Sequence, residues 1–146
     1  MALTWPMQKS GKTGEAVRTV QFLLRVHGYT VAVDGNFGLQ TEAAVRGFQT
    51  SQGLTTDGAV GDQTWPTLIA VVRQGDRSEK GDAVRAVQDQ ANFRAGDPAH
   101  PFPVDGVFGT LTDAWVRGFQ QGVGISADGV VGPVTWNHLV NEALNT

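Results

Sequence analysis

The sequence has 146 residues, of which 40% are apolar and 17% charged, and its net charge at pH 7 is −3. This balance is typical of a folded globular protein, while the acidic charge and the lack of any Lys/Arg cluster argue against nucleic acid as a partner. The absence of cysteine excludes disulfides, thiolate nucleophiles and cysteine-ligated zinc. No apolar run approaches the length of a membrane span, so we expect no membrane insertion.

An internal duplication organises the chain into two units. VDGNFGLQTEAAVRGFQ at residues 33–49 matches VDGVFGTLTDAWVRGFQ at residues 104–120, with twelve of seventeen positions identical. The blocks on either side match as well, GEAVRTVQFLL with GDAVRAVQDQA and DGAVGDQTWPTL with DGVVGPVTWNHL. Their offsets of 67 and 71 residues place a four-residue insertion in unit two, within residues 91–103. Because this segment holds three prolines, we expect a surface loop there.

Each unit contains three segments whose apolar residues recur with the period of an α-helix. In unit one these residues are Val17, Val20 and Leu24, then Thr41, Ala44, Val45 and Phe48, then Trp65, Leu68 and Val72. In unit two they are Val84, Val87 and Ala91, then Thr112, Trp115, Val116 and Phe119, then Trp136, Leu139 and Ala143. The pattern predicts three short amphipathic helices in each unit, with the aromatic residues Phe48, Trp65, Phe119 and Trp136 in the core.

Asp-Gly turns are predicted to connect these helices, because glycine permits a positive φ and the aspartate side chain accepts bonds from nearby backbone N–H groups. The four turn aspartates are Asp34, Asp57, Asp105 and Asp128. The extended runs YTVAVDG and PFPVDG predict a short β-ribbon arm in each unit. Four threonines that follow a second glycine are expected to satisfy backbone donors in the first turn of the next helix: Thr41, Thr64, Thr112 and Thr135.

Several polar residues interrupt the apolar helix faces. Four glutamines do so at matching places in both units: Gln21, Gln49, Gln88 and Gln120. A buried amide can bond the backbone of a turn, so we interpret these glutamines as structural bridges rather than ligand contacts. In the first helix of unit two, Asp89 and Gln90 replace Phe22 and Leu23. This replacement predicts that the helix is less buried on one side.

Three ordered motifs carry a family resemblance: GxAVRxVQ, VDGxFGxxTxxAVRGFQ, in which unit two has Trp115 in place of the last alanine, and DGxVGxxTW with a following leucine. From Gly14 to Leu139 the chain resembles the peptidoglycan-binding domain family of small three-helix modules. The resemblance implies a mainly α fold of two tandem three-helix bundles with Asp-Gly turn loops and short β-ribbon arms. We divide the chain into an N-terminal arm at residues 1–12, unit one at 13–72, a linker at 73–80 and unit two at 81–146.

Modules of this family usually hold cell-wall amidases, carboxypeptidases or muramidases on peptidoglycan. The resemblance therefore implies non-catalytic binding of peptidoglycan, through its glycan strand or its stem peptide, with a cell-wall hydrolase or an assembly protein as a further partner. A related module occurs in the pro-regions of matrix metalloproteinases, but their latency switch needs a cysteine. The alternatives are a structural protein of a phage tail or injection apparatus, and a regulatory pro-segment. The expected location is extracellular or at the cell wall, with a leader removed or a phage as carrier, because no signal peptide is visible.

A shallow groove for peptidoglycan needs an aromatic or apolar platform, hydrogen-bonding side chains and a cation. Beside the turns the candidate ligand-binding residues are Tyr29, Asn36, Phe37 and Arg46 in unit one, and Phe102, Phe108, Trp115 and Arg117 in unit two. The competing interpretation is that Phe37 and Phe108 pack under their turns and that both arginines are solvated helix charges.

Catalysis, metal and cofactors are not expected. His27, His100 and His138 occupy different places in the two units and form no metal-binding pair. Carboxylate couples of a glycosidase, Asp34 with Asp57 or Asp105 with Asp128, are already explained by turn closure. DGNFG resembles the start of a calcium loop, but the expected later ligands are missing.

Overall fold

The computed structural model describes residues 3–95 and 102–142. In this part of the chain there are six α-helices: α1 (Glu15–Val26), α2 (Leu39–Ser51), α3 (Trp65–Leu68), α4 (Gly81–Ala95), α5 (Thr110–Gly122) and α6 (Pro133–Glu142). Three helices in each unit confirm the predicted mainly α fold. Most of the insertion, with Pro98, His100 and Pro101, lies outside the described residues, as does Ala143.

The third helix of unit one is shorter than its apolar pattern predicts. It ends at Leu68, because Ile69 adopts an extended backbone with φ −63° and ψ 154°. Val72, which the pattern placed in this helix, instead pairs with Val131 of unit two. The two residues exchange backbone hydrogen bonds of 3.3 and 2.8 Å. The chain beyond α3 therefore contacts unit two.

Two extended segments, residues 5–12 and 69–76, pack on units one and two through equivalent hydrogen bonds. Before α1, the backbone of Gln8 exchanges hydrogen bonds of 3.0 and 2.7 Å with Val60, as Val72 does with Val131. The indole Nε1 of Trp65 donates to the carbonyl oxygen of Pro6 and that of Trp136 to Ala70, both at 2.8 Å. Residues 69–76 thus relate to unit two as residues 5–12 relate to unit one.

The predicted β-ribbon arms do not form. Pairing between extended segments in the described ranges is limited to three isolated bridges, Gln8–Val60, Thr13–Asn36 and Val72–Val131. A ribbon at the first Asp-Gly turn would need free backbone groups on both sides of the turn. The N–H groups of Asp34 and Gly35 are instead bonded to the side chain of Gln21. The prediction was wrong because a side chain occupies the groups that a partner strand would use.

The two units pack through α1 and α4, which contact each other more extensively than any other pair of helices. Arg18 pairs with Asp89 and Arg25 with Asp82, so the two helices run antiparallel. Apolar residues of both units belong to one buried cluster, in which Leu23 of α1 and Val87 of α4 are fully enclosed. The duplication has therefore produced one hydrophobic core that both units share, rather than two separate domains.

Asp89 and Gln90 lie at this junction and correct the expectation that α4 is less buried. Asp89 accepts two hydrogen bonds of 2.9 Å from Arg18, in the forked geometry that suits a guanidinium and a carboxylate. Gln90 is fully buried and donates to Thr19 Oγ1 at 3.0 Å. The polar replacements were misread because their partners come from the other unit.

Glu15, at the start of α1, is also buried at this junction. Burial is the largest cause that raises its pKa to about 9, and a hydrogen bond to Asp89 and the charge of Asp89 raise it further. Burial also acts to raise the pKa of Asp89, but hydrogen bonds from Arg18 and Glu15 leave it below its usual value. The pair therefore holds one proton on Glu15 and one negative charge on Asp89, which Arg18 balances.

Candidate ligand-binding site at the Asp-Gly turns

Each Asp-Gly turn is held by one buried glutamine from the preceding helix. In unit one, Gln21 Nε2 donates to Asp34 Oδ1 at 2.9 Å, to the carbonyl oxygen of Asn36 at 3.0 Å and to Thr41 Oγ1 at 3.1 Å. Its Oε1 accepts hydrogen bonds of 3.0 Å from the backbone N–H groups of Asp34 and Gly35. A single amide thus connects a turn to the helices before and after it.

The same arrangement occurs at all four turns. Gln49, Gln88 and Gln120 each donate to the turn aspartate, to the carbonyl oxygen two residues later and to a threonine hydroxyl. Each Oε1 accepts the backbone N–H of the turn glycine, at 3.0 Å. The prediction that these glutamines are structural bridges is confirmed.

The turn aspartates close their turns as predicted. In each, Oδ1 accepts a hydrogen bond of 2.9 to 3.0 Å from the backbone N–H two residues later. That bond is the largest cause that lowers the pKa of all four aspartates, and the amide of the glutamine lowers it further. These carboxylates are therefore ionised at neutral pH and hold no proton for general acid catalysis.

The threonines have a different role from the one predicted. In the described helices, Gly38, Thr64 and Gly109 occupy the N-cap positions of α2, α3 and α5, and none makes a side-chain capping bond. The hydroxyls of Thr41, Thr64, Thr112 and Thr135 accept from the glutamine amides. The threonine hydroxyls therefore face inward, within hydrogen-bond distance of the glutamine amides, and not towards the helix terminus.

A shorter repeat underlies the duplication. The sequence V-R-x-x-Q occurs four times, each followed by Asp-Gly, and begins at Val17, Val45, Val84 and Val116. The arginine of each copy contacts a carbonyl oxygen just before or within its turn: Arg18 that of Val33, Arg46 that of Thr56, Arg85 that of Asp105 and Arg117 that of Ala127. The sequence analysis missed this role, although the shared spacing of arginine and glutamine was its signal.

Glycine is required in these turns for two reasons. The turn glycines have φ of +75° or +76°, a conformation that is costly for other residues. A Cβ on Gly129 would also lie 2.7 Å from Asp113 Oδ1 and 2.8 Å from Arg117 Nη2. The arginine and its carboxylate partner one helical turn away therefore pack directly on the turn backbone.

Shallow cavities lie beside two turns that are equivalent in the shorter repeat, the Asp105 turn of unit two and the Asp57 turn of unit one, whereas the duplication pairs Asp105 with Asp34. In unit two a cavity of about 210 Å³ is lined by the start of α5 and its turn: Gln88, Phe102, Pro103, Asp105, Val107, Gly109, Thr110, Leu111 and Thr112. We call it the turn cavity of unit two. A cavity of about 260 Å³ in unit one is bordered by the corresponding residues Asp57, Ala59 and Gly61–Thr64, together with Met7 and Thr55. The two cavities differ at their rim, since Val107 and Leu111 expose 45% and 57% of their surface.

The structure separates the predicted site residues of unit one into different environments. Phe37 is 2% exposed, so its ring packs under the turn and does not face solvent. Asn36 and Arg46 are exposed, although Arg46 also bonds Glu42 and the carbonyl oxygen of Thr56. Tyr29 is half-buried and packs edge-on against Phe48, with a ring-centre distance of 6.5 Å.

In unit two, Phe108 is 1% exposed and packs under its turn in the same way. Trp115 forms the centre of an aromatic row: its ring stacks on Phe119 at 5.4 Å and meets Phe102 at 6.5 Å. Arg117 is exposed and bonds Asp113 and the carbonyl oxygen of Ala127. Phe102 is thus the predicted residue that both joins the aromatic row and lines the turn cavity of unit two.

His27 has a counterpart that the sequence analysis did not recognise. Its Nε2 donates to the carbonyl oxygen of Leu68 at 2.8 Å, and its ring lies 4.8 Å from that of Phe48. At the matching place in unit two, Arg94 donates to Leu139 at 2.9 Å and lies 4.7 Å from the Phe119 ring. The position is structural, because two different side chains with N–H donors make the same pair of contacts.

Metal-binding clusters and membrane-spanning helices are both absent from the residues that the structure describes. No group of three or more His, Asp or Glu side chains in these ranges is placed to hold a metal ion. No helix in the same ranges combines the length and apolar character needed to cross a membrane.

Comparison with known proteins agrees with these features. The family model described as "Putative peptidoglycan binding domain" matches residues 13–68 and again residues 80–139. The chain therefore belongs to the peptidoglycan-binding domain family and carries two copies of the domain, as its motifs predicted.

Two curated relatives are cell-wall enzymes by name. The zinc D-Ala-D-Ala carboxypeptidase of Streptomyces albus G is 46% identical over 68 residues, which are 42% of this chain and 26% of that protein. The N-acetylmuramoyl-L-alanine amidase CwlM of Mycobacterium tuberculosis is 35% identical over 115 residues, 70% of this chain and 27% of that protein. This chain thus spans about a quarter of the length of either relative.

Among solved structures, the SleB N-terminal domain is 39% identical and covers 47% of this chain and 94% of its own, with a TM-score of 0.44.

Proposed function

We propose that this chain binds bacterial cell-wall peptidoglycan without catalysing a reaction on it, and that it holds an associated hydrolase or assembly protein at the wall. The observation that carries the proposal is the double match to the peptidoglycan-binding domain family, which together covers both units. The names of the related carboxypeptidase and amidase support a place beside cell-wall hydrolases. The corresponding location is the cell wall or the extracellular space.

The chemistry of the turns supports a binding role over a catalytic one. A glycosidase of the paired-carboxylate type needs one carboxyl group that stays protonated near neutral pH. The turn aspartates have pKa values shifted in the opposite direction by their hydrogen bonds. Their bonds to glutamine and backbone serve to fix the turn, so the ligand surface lies on the residues around it.

The turn cavity of unit two is the binding surface that we favour. Its rim combines the exposed side chains of Val107 and Leu111 with the half-buried ring of Phe102. Sugar rings and short peptides both present apolar faces with polar groups at their edges, which suits a shallow apolar rim above bonded polar atoms. Asn36 and Gln40 stand at the positions of Val107 and Leu111 in unit one, so unit one is more polar at these two positions.

The packing of α1 against α4 affects how the two copies of the domain could bind one polymer together. A flexible tether lets two weak sites gain affinity of about a hundredfold through a high effective concentration. Here the joined core fixes the orientation of the units. Two contacts with one polymer are then possible only where its repeat fits the fixed geometry. Separate expression of the units would also expose Leu23 and Val87, so half-chains are poor tests of avidity.

Co-sedimentation of the intact chain with insoluble peptidoglycan, stripped of teichoic acid and protein, tests the proposal. We expect saturable pelleting with peptidoglycan and none with chitin or cellulose. Val134→Ser, which removes an exposed apolar side chain outside the turn cavity, should pellet like the natural chain. If the chain stays in the supernatant at every concentration, binding to peptidoglycan is excluded. The phage-tail or injection-apparatus role would then be the better hypothesis.

A further inference from the structure

A cleft at the junction of the two units has no counterpart in the family motifs. It has a volume of about 270 Å³ and is lined by Arg25, Gly28, Tyr29, Thr30 and Asp82. The first four residues come from the end of α1 and the chain that follows it, whereas Asp82 belongs to the first turn of α4. We call this the junction cleft. It exists only because the two units pack together.

Arg25 and Asp82 are the charged side chains of the cleft lining, and Arg85 contacts Asp82 from outside it. Asp82 lies between two guanidinium groups, 3.4 Å from Arg25 Nε and 3.3 Å from Arg85 Nη1. Arg85 also lies near the carboxylate of Asp105, so Arg25 and Arg85 together face two carboxylates, and what the lining offers an anion is the donors of Arg25. The side chains of Arg25, Asp82 and Arg85 are all partly exposed, so a ligand can reach these charges, which do not form a fully buried ion pair.

Three polar groups of the lining have unused hydrogen-bonding capacity. Arg25 donates through Nε to Asp82 and through Nη1 to the carbonyl oxygen of Val31, which leaves its Nη2 without a partner among the described residues. Within the same ranges, the hydroxyl groups of Tyr29 and Thr30 also make no hydrogen bond. One guanidinium nitrogen and two hydroxyls are the donors that a carboxylate accepts from.

The position of Tyr29 depends on a glycine in α2. One edge of its ring packs against the helix, and a Cβ on Gly47 would come within 3.1 Å of Tyr29 Cε1. The ring also contacts Phe48, so it is held by packing, and Tyr29 lines the cleft. In unit two a Cβ on Gly118, the counterpart of Gly47, would meet nothing within 4 Å. The two units therefore differ at this surface. The shared fold alone does not require the close contact between Tyr29 and Gly47.

We propose that the junction cleft binds the terminal carboxylate of a short peptide, with Arg25 and Tyr29 as its donors and the tyrosine ring against the last side chain. The size of the cleft restricts it to a small end group, since ligand pockets for larger molecules hold roughly 300 to 1,000 Å³. The proposal rests on the proposed function, because the stem peptides of peptidoglycan end in such carboxylates. The junction cleft would thus bind the ends of stem peptides, in addition to the binding at the turn cavities.

An NMR titration of the isotope-labelled intact chain tests the cleft directly. The probe is N-acetyl-D-alanyl-D-alanine, whose only charge is the terminal carboxylate, and its C-terminal amide and acetate are the controls. We expect saturable shifts of the amide signals of Gly28, Tyr29 and Thr30 with the probe, and much weaker binding of both controls. Equal binding of the amide or of acetate, or no shift at any soluble concentration, would overturn the proposal.

Two variants keep the test independent of folding. Arg25→Gln removes the free donor and should raise the Kd of the probe about tenfold or more, because a hydrogen bond to a charged group is lost. Tyr29→Phe retains the packing on Phe48 and removes only the hydroxyl, so it should weaken binding by a smaller factor. Arg77→Gln deletes an exposed charge outside the cleft lining and should leave the Kd unchanged. Unaltered binding in both cleft variants would contradict the assignment.

The outcome is separable from that of the proposed function. Pelleting of the natural chain with sacculi whose carboxylates have been amidated should be weaker than with untreated sacculi. If pelleting is equal on both and the probe does not bind, the cleft proposal fails and peptidoglycan binding stands. If the chain pellets with neither but binds the probe, peptidoglycan binding fails and the cleft is a site for another peptide.

Discussion

Units one and two share their turn chemistry and differ at several positions that surround it. Both hold their Asp-Gly turns with glutamines and pack an arginine over each turn glycine. Yet Ala44 in unit one becomes Trp115 in unit two, and Phe22 and Leu23 become Asp89 and Gln90. The constant part specifies the fold, while the variable part forms the junction and the exposed surfaces. Function should therefore be sought where the copies disagree.

The largest predicted effect comes from removing a glutamine of the shared part. Gln120→Met removes the amide's hydrogen bonds to the N–H of Gly129, the carbonyl oxygen of Val130 and the hydroxyl of Thr135, of which the last two still bond each other at 3.4 Å. We expect a loss of about 3 kcal/mol or more in the free energy of unfolding, because several buried polar groups lose a hydrogen bond together. Urea denaturation measures it. The neighbouring exposed Gln121→Met should change stability by less than about 0.5 kcal/mol, and equal effects would contradict this account.

Next in size is a pH dependence located at the junction. The pKa of Glu15 is raised by burial from 4.5 to about 9 in the folded chain. Between these values the folded state binds more protons than the unfolded state, so stability falls as pH rises through this window. One such proton gives a slope of at most about 1.4 kcal/mol per pH unit.

Glu15→Gln should flatten this slope and stabilise the chain above neutral pH, as measured by urea denaturation at a series of pH values. Glu79→Gln, which alters an exposed carboxylate in the short 3-10 turn before α4, should retain the slope. A slope that survives in Glu15→Gln would show that another group titrates.

A smaller effect separates backbone strain from crowding at the turn glycines. Gly129 and Gly124 have φ of +75° and +80°, but only the Cβ of an alanine at position 129 would collide with Asp113 and Arg117. We expect Gly124→Ala to cost about 1 kcal/mol from its conformation and Gly129→Ala about 2 to 3 kcal/mol. Thermal unfolding compares them. Equal costs would mean that Arg117 can move away from the alanine side chain without loss of stability.

The smallest expected effect is an exchange between the units. His27→Arg introduces at this site the residue that unit two has at the matching place, where Arg94 bonds Leu139 and packs on Phe119. The free energy of unfolding should change by less than about 1 kcal/mol, whereas His27→Ala should cost about 1 to 2 kcal/mol through the lost bond to Leu68. Urea denaturation distinguishes the two. A larger cost for arginine than for alanine would show that the sites are not equivalent.

Local signals in the sequence were enough to predict most of the fold. The helices followed from apolar spacing, and the role of Gln21 followed from a polar residue placed on an apolar face at the same position in each copy. The turn aspartates were predictable because their hydrogen bonds lie within two residues. In each case the partners are close in sequence or are repeated.

The features that were missed depend on distant partners. Asp89 bonds Arg18 across 71 residues of chain, and nothing near Asp89 in the sequence indicates that contact. Val72 was assigned to a helix because apolar spacing does not reveal that an extended segment of one unit pairs with the other. At the candidate site, the sequence found the turns but not which aromatic rings are exposed. Phe37 and Phe102 are the same type of residue near an Asp-Gly turn. Only their packing in the folded chain distinguishes the buried ring of Phe37 from the half-buried ring of Phe102.

Pelleting of surface variants on purified peptidoglycan is the most direct test of the claim that binding lies where the units differ. The double variant Val107→Ser/Leu111→Ser removes the apolar rim in unit two, and Asn36→Ser/Gln40→Ser alters the matching, exposed positions of unit one. We predict that the first variant raises the apparent Kd about tenfold or more, because apolar contact area is lost, while the second stays near the natural value. A loss confined to the unit one variant, or none in either, would contradict the claim.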